Sequence, residues 1–308
     1  MKTFAALIIF SSLLFAQSRG TENENITDKY VYHSNRPELI KSNYVEKADS
    51  SKPVLYHLHQ IKPKKELFPD ERIFPNFFAD GTAQQFSLNK DAFTKQWIGS
   101  IGGILRIYQV TYNKLKIQIG IGATVYASLI RQPDVLDVQT AGFFVDLPIE
   151  FRFNRYFAVR TGYGHYSAHL VDDGIEALKL HSINYAKDYI PLLAAYSFDE
   201  RGSFIYGGVR FDTYTIPEYN KRWNVQVGIQ GGNYEIISGM KLYGAADIKL
   251  KSEVAWATTQ SYQIGLRVLD KGSHAIRVAY TYRTGIEDRG QFYKDRVNLS
   301  LFGVYFDF

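Results

Sequence analysis

The C-terminal stretch Leu301-Phe302-Gly303-Val304-Tyr305-Phe306-Asp307-Phe308 decides how the chain is to be read. Phe302, Val304, Phe306 and Phe308 share one parity, and Leu301, Gly303, Tyr305 and Asp307 share the other. Alternation of this kind marks a strand, and a strand in a transmembrane barrel turns an apolar face to lipid while its other face stays mixed.

The same period recurs upstream. Leu115, Ile117, Ile119, Ile121, Ala123, Val125, Ala127 and Leu129 alternate with Lys116, Gln118, Gly120, Gly122, Thr124, Tyr126 and Ser128. Phe143, Val145, Leu147, Ile149, Phe151 and Phe153 alternate with Asp146, Pro148, Glu150 and Arg152, and two further runs cover Tyr262–Val268 and Ile276–Tyr282. Such segments outrun ordinary globular strands. Short turns are expected near Asn113, Asn154–Arg155, Asp199–Gly202, Ser238–Gly239 and Asp270–Ser273. Longer polar loops are expected near 130–142, 169–181, 217–223 and 285–294. Short turns at one end and long loops at the other are the asymmetry of an outer-membrane barrel. The fold class is therefore all-β: a transmembrane antiparallel up-and-down β-barrel of about 12 strands, with 10 to 14 open. The least defined points are the first strand, near 84–90, and a break near 252–255.

At the other end, Lys2 precedes an apolar run from Phe4 to Phe15, and polar sequence begins at Gln17. This is the layout of a secretory signal peptide, too short and wrongly flanked for a spanning helix. Cleavage is expected after Ala16, although Leu14 departs from the small-residue rule. Three regions follow: signal peptide 1–16, a polar segment 17–83 expected to be periplasmic, and the barrel 84–308. The middle region is rich in Lys, Asn, Ser and Glu and is punctuated by Pro53, Pro63, Pro69 and Pro75. Its His57 and His59 form a lone His-x-His, read as solvated for want of a third ligand.

The sequence has no cysteine, so it carries neither disulfides nor a lipoprotein anchor. It holds 23 tyrosines and 21 phenylalanines, a load that suits a lipid face and interfacial girdles. Net charge is +5, but no basic stripe interleaves with aromatics on one element, so nucleic acid is not an expected partner. Inward parity collects Arg106, Asp146, Glu150, Arg152, Arg160, Arg210, Asp212, Asp247, Arg267, Arg277 and Arg283. Charges of both signs in a narrow barrel must pair or be wet, and a largely occluded, charge-lined lumen is expected, with a narrow polar channel as the alternative.

One stretch could carry chemistry: Gly162-Tyr163-Gly164-His165-Tyr166-Ser167-Ala168-His169-Leu170-Val171-Asp172-Asp173. His165 and Ser167 share the apolar parity and should face lipid, near enough for an imidazole to accept a hydroxyl proton. Asn184, at the start of the next strand, shares outward parity with Ile190, Leu192 and Ala194 and could orient the imidazole. Asp172 and Asp173 could offer oxygens to calcium, although loop acids are usually just solvated. The competing reading of His165, Ser167 and His169 is interfacial: polar side chains sitting between headgroups and water. Both stay open, so whether the chain is an enzyme is undecided at this level.

Three resemblances follow from these residues. The terminal strand ending in Phe308 is similar to the C-terminal assembly signal of bacterial outer-membrane proteins, which implies the barrel-assembly machinery as a partner. The His-x-Ser on an outward strand resembles outer-membrane phospholipase A and the lipid A deacylases. That resemblance implies His165 as general base, Ser167 as nucleophile, Asn184 as orienting residue and outer-membrane lipids as substrate. More broadly, Phe74-Pro75-Asn76-Phe77-Phe78-Ala79-Asp80 followed by Gln85-Phe86-Ser87 resembles the opening motif of an uncharacterised bacterial outer-membrane family, known only as a domain of unknown function. That family's Ser-x-His-Leu-Gly-Asp-Glu motif reads here Ser167-Ala168-His169-Leu170-Val171-Asp172-Asp173, departing at Val171 and Asp173. The likeness implies fold and location and brings no activity.

Overall fold

The computed structural model describes residues 62–308 apart from 180, 200–201, 220 and 272–273. The signal peptide, His57 and His59 lie outside the described residues. The strands are β1 (Lys64–Leu67), β2 (Phe86–Asp91), β3 (Gln96–Tyr112), β4 (Leu115–Arg131), β5 (Leu136–Arg152), β6 (Phe157–Leu170) and β7 (Tyr185–Ser197). They continue with β8 (Phe204–Ile216), β9 (Trp223–Ile237), β10 (Met240–Lys251), β11 (Ala257–Lys271), β12 (His274–Ile286) and β13 (Arg296–Asp307). Each of β2 to β13 pairs antiparallel with its sequence neighbours. β13 returns to β2, with Leu301 opposite Asp91 and Phe306 opposite Phe86. The result is a closed twelve-strand up-and-down barrel, as the alternation implies. β1 adds a short outer rung on β3, with Lys64 opposite Thr111 and Leu67 opposite Tyr108.

Side-chain polarity is inverted relative to a water-soluble barrel. Ile119, Ile121, Phe143, Val145, Leu147, Val304 and Phe306 are exposed on the outer wall, whereas Gln118, Thr124, Ser128, Glu150 and Asp307 are buried within. Period-2 geometry requires the two sets to separate in this way once the sheet closes.

The turns fall where expected, and the first barrel strand and the break near 252–255 match β2 and a short 3-10 turn at Ser252–Val254. Two loops differ. The expected loop at 130–142 shrinks to 132–135, because the alternating apolar positions run on through Ile130 and resume at Leu136 and Val138. The connection after β6 contains a helix of about two turns, α1 (Asp172–Leu178), for which the sequence showed no clear periodicity.

The interior holds a segment of the chain itself. Ile73 and Phe74 are fully buried, and Phe77, Phe78, Ala79 and Asp80 nearly so. Phe77 stacks on Tyr206 with centroids 3.6 Å apart. Phe74 lies 4.3 Å from the Arg160 guanidinium. The Phe78 amide donates to Gln230 at 3.0 Å, and Lys249 reaches the Asp80 carboxylate at 2.5 Å. Gln84 bridges Asp146 and Thr124. Residues 73–83, which the sequence division groups with the polar N-terminal segment, therefore belong with the barrel by contact.

Candidate functional site

On the inward face of β6, Gly164 leaves the room that neighbouring side chains occupy. A Cβ there would lie 2.3 Å from the Tyr189 ring and 2.4 Å from Asp146 Oδ1. The space instead admits the Tyr189 hydroxyl, which donates to Asp146 at 2.7 Å. Tyr166 and Ala168 are also inward and buried, so the intervening Tyr163, His165 and Ser167 face out.

The β6–β7 ladder sets His165 opposite Asp188 and Ser167 opposite Ala186. His165 Nδ1 and Asp188 Oδ1 are 2.6 Å apart, with side chains 45% and 25% exposed. Tyr163 shares the outward face of β6 two residues before His165, beside the same carboxylate. On the far side, β8 bulges at Thr213, so that Asp188 faces Tyr214 while Tyr189 faces Asp212. The Thr213 hydroxyl donates to the Asp188 carbonyl at 3.1 Å. Bulges re-aim side chains in this manner. β5 supplies an apolar border, with Val145 opposite His165 and Phe143 opposite Ser167. An acid–imidazole pair thus stands in an otherwise aliphatic and aromatic wall.

With Nδ1–H donating to the carboxylate, Nε2 keeps its lone pair and the ring is fixed in one plane, the arrangement that lets an imidazole act as a base. No hydrogen bond joins Ser167 to His165 among the described residues; the hydroxyl lies two residues along the same face, with Cα atoms about 6.6 Å apart by strand rise. Asn184 is exposed and precedes the first paired residue of β7, Tyr185, which lies opposite Ala168. It stands four residues before Asp188, about 13 Å along the strand, and is not brought to His165. Asp172 and Asp173 form the first turn of α1, where Asp173 accepts from the Val138 amide at 3.4 Å. Among the described residues no group of three or more His, Cys, Asp or Glu could hold a metal ion.

Asp188 and Tyr163 are therefore the members that sequence reasoning missed. Asp188 has the same outward parity as Asn184, but selecting it requires the register between the two strands.

The inward side of the same strands is charged but matched. Lys187 lies 2.6 Å from Glu253 and 3.5 Å from Asp212, and Arg210 is 3.2 Å from Asp212. Lys187, Arg210 and Glu253 border an interior cavity of about 160 Å³, with Gln84, Asp146 and Lys249 among its walls. Of the cations there, Lys187 faces Glu253 and Lys249 and Lys251 face Asp288.

The model of a family described as a protein of unknown function, DUF1207, matches residues 14–308. The chain belongs to this family. No curated protein matches it. For this DUF1207 member, the barrel and its outward acid–imidazole pair are thus the material from which a function must be argued.

Proposed function

We propose that the chain is an outer-membrane barrel whose lumen is closed to solutes, with a structural rather than a conducting role. The observation that carries this reading is the interior segment 73–84, held by the Phe77–Tyr206 stack and the Asp80–Lys249 pair. The inverted polarity of the wall supports membrane insertion, because an aliphatic exterior is stable only against lipid. Folding into the bacterial outer membrane would proceed through the barrel-assembly machinery, engaged by the strand ending in Phe308, with the N-terminal segment periplasmic. The test is planar-bilayer recording of the refolded chain. No steady conductance is expected, and a pore should appear when Phe77→Ala and Asp80→Ala are combined; steady ohmic current from the unaltered protein would rule the reading out.

A second reading is favoured by the His165–Asp188 pair on the lipid-facing wall: a lipid-ester hydrolase. Ionisable residues at membrane depth are costly and call for a functional explanation. In this reading Asp188, not Asn184, orients His165. Ser167 Oγ attacks the acyl carbonyl carbon while His165 Nε2 takes the hydroxyl proton, which then passes to the departing alcohol oxygen as the ester bond breaks. Water next attacks the acyl-serine, giving its proton to His165; the fatty acid leaves and Oγ is reprotonated. The measurement is acyl release from phospholipid and lipopolysaccharide, with calcium and with chelator, since Asp172 and Asp173 are the nearby oxygen donors. Release lost in Ser167→Ala and strongly reduced in Asp188→Asn supports it; release no greater than that of Ser167→Ala in either condition returns the site to interface decoration.

A further inference from the structure

The loop-side rim of the wall carries a second feature, on the opposite side of β5 from His165. Lys90 is next to last in β2, Lys95 lies in the turn that follows, and Arg131 ends β4. The ladder brings them together: Lys90 is opposite Trp97, Trp97 is opposite Leu129, and the Arg131 amide donates to the Lys95 carbonyl at 3.1 Å. With Leu88, Trp97 and Leu136 they line an open groove of about 610 Å³. Lys95 and Arg131 are exposed. Lys90 Nζ lies 5.9 Å from the Trp97 ring and donates to the carbonyls of Asp91 and Thr94.

None of the three cations has a carboxylate partner among the described residues. The nearest acid of the β2–β3 turn, Asp91, is buried and committed to Thr94 and the Ser300 amide. Asp134 sits at the tip of the neighbouring loop. Cations at the opposite rim behave otherwise: Lys116 and Arg152 share Glu71. Convergence of three unpaired cations from separate strands is also more than the snorkelling of one long side chain to an interface.

The groove is ordered in two levels. The cations stand at the strand ends, and the apolar side chains Leu88, Trp97 and Leu136 are on the outward wall beside them. We infer that this groove binds a lipid with a phosphomonoester headgroup, the phosphate held by Lys90, Lys95 and Arg131 and the first part of an acyl chain lying on Leu88, Trp97 and Leu136. Three positive charges complement a phosphomonoester of charge near −2 better than a zwitterionic phosphodiester head. The inference rests on the wall's being a membrane wall and is independent of the His165 site.

The test uses the full chain refolded into phosphatidylcholine vesicles containing a minority of phosphatidic acid, then extracted gently and weighed with its retained lipid by native mass spectrometry. Phosphatidic acid should be retained in preference to phosphatidylcholine. The triple variant Lys90→Gln, Lys95→Gln, Arg131→Gln should lower retention about tenfold, whereas Lys114→Gln at the opposite rim should leave it unchanged. Equal retention by the triple variant, equal retention of both lipids, or full competition by inorganic phosphate would each overturn the inference, the last by reducing the groove to an anion site. Failure of the membrane reading is separate: that chain would not enter vesicles or show heat-modifiable mobility.

Discussion

An acid–cation set and an acid–imidazole pair sit on opposite faces of the same wall, and they are built differently. Inside, Arg277 is 2% exposed and donates to both oxygens of Asp307, at 3.1 and 3.0 Å, and to Gln263 at 3.0 Å. Its guanidinium also lies 3.8 Å from the Phe78 ring and 4.6 Å from that of Tyr305. Outside, Asp188 and His165 have each other and Tyr163 within a border of Val145, Phe143 and Tyr214. The inner set is held by neighbours from several strands and from the interior segment, so it serves the fold. The outer set occupies positions where leucine would serve the fold better. Charge kept at a structural loss is where chemistry should be sought.

The contrast can be broken most directly from inside. Arg277→Met would leave the buried Asp307 carboxylate with the longer Arg267 contact, at 3.8 Å, and should cost about 3 kcal/mol, the low end for a broken buried pair. Urea unfolding of the folded barrel reads this, and an unchanged midpoint would show that the interior charges are not structural.

Outside, the sign should reverse. Replacing His165 and Asp188 together by leucine should stabilise the barrel in lipid by about 1–2 kcal/mol, the cost of polar groups on a lipid face falling towards the interfaces. Destabilisation of the double variant would make the pair a structural clasp and would remove the ground for a hydrolase.

The smallest effect concerns the loop 287–295. Burial works to raise the Asp288 carboxyl, but Lys249, Lys251 and Arg283 outweigh it and hold it well below the usual carboxylate range. Burial likewise opposes Arg289 at Glu287, and again the cation prevails. Both folded values lie below the unfolded ones, so their stabilisation is complete above the ordinary carboxylate range and is lost as pH falls through the lowered values. Amide hydrogen exchange in this loop should therefore stay slow from neutral to mildly acidic pH and accelerate only in strong acid. Acceleration already near neutrality would contradict the pairing.

Much of the fold was legible because β4, the second half of β5 and the last residues of β13 alternate, and the closed sheet sorts such residues into two faces. β1 was not legible: Lys64-Lys65-Glu66-Leu67 has no alternation and is a strand only because β3 overhangs its neighbour. The role of residues 73–83 was hidden for a related reason. Phe74, Phe77 and Phe78 are spaced i, i+3, i+4 as on a helix face, yet the segment forms no helix, and their burial depends on Arg160, Tyr206 and Gln230, far away in sequence. At the candidate site, the outward parity of His165 and Ser167 could be read from Phe157, Val159 and Tyr163. The partner could not. Asn184 and Asp188 are equivalent by parity, and the connection 171–184, with its unforeseen helix, leaves the pairing of β6 with β7 undetermined until the ladder is seen.

β2 is six residues long and meets β3 through four paired positions, while β3 itself has seventeen residues. The interior segment joins β1, on the overhang of β3, to this short strand. It is consequently a captive loop rather than a free end, and it cannot be drawn out by pulling on the N-terminus without first unzipping one of its two anchors. Both anchors stand at one rim, Lys64–Leu67 beside Thr111–Tyr108 and Phe86 opposite Phe306, so the segment is tethered at both ends by the wall that it fills, and the four-rung seam beside β3 is where mechanical or thermal opening should begin.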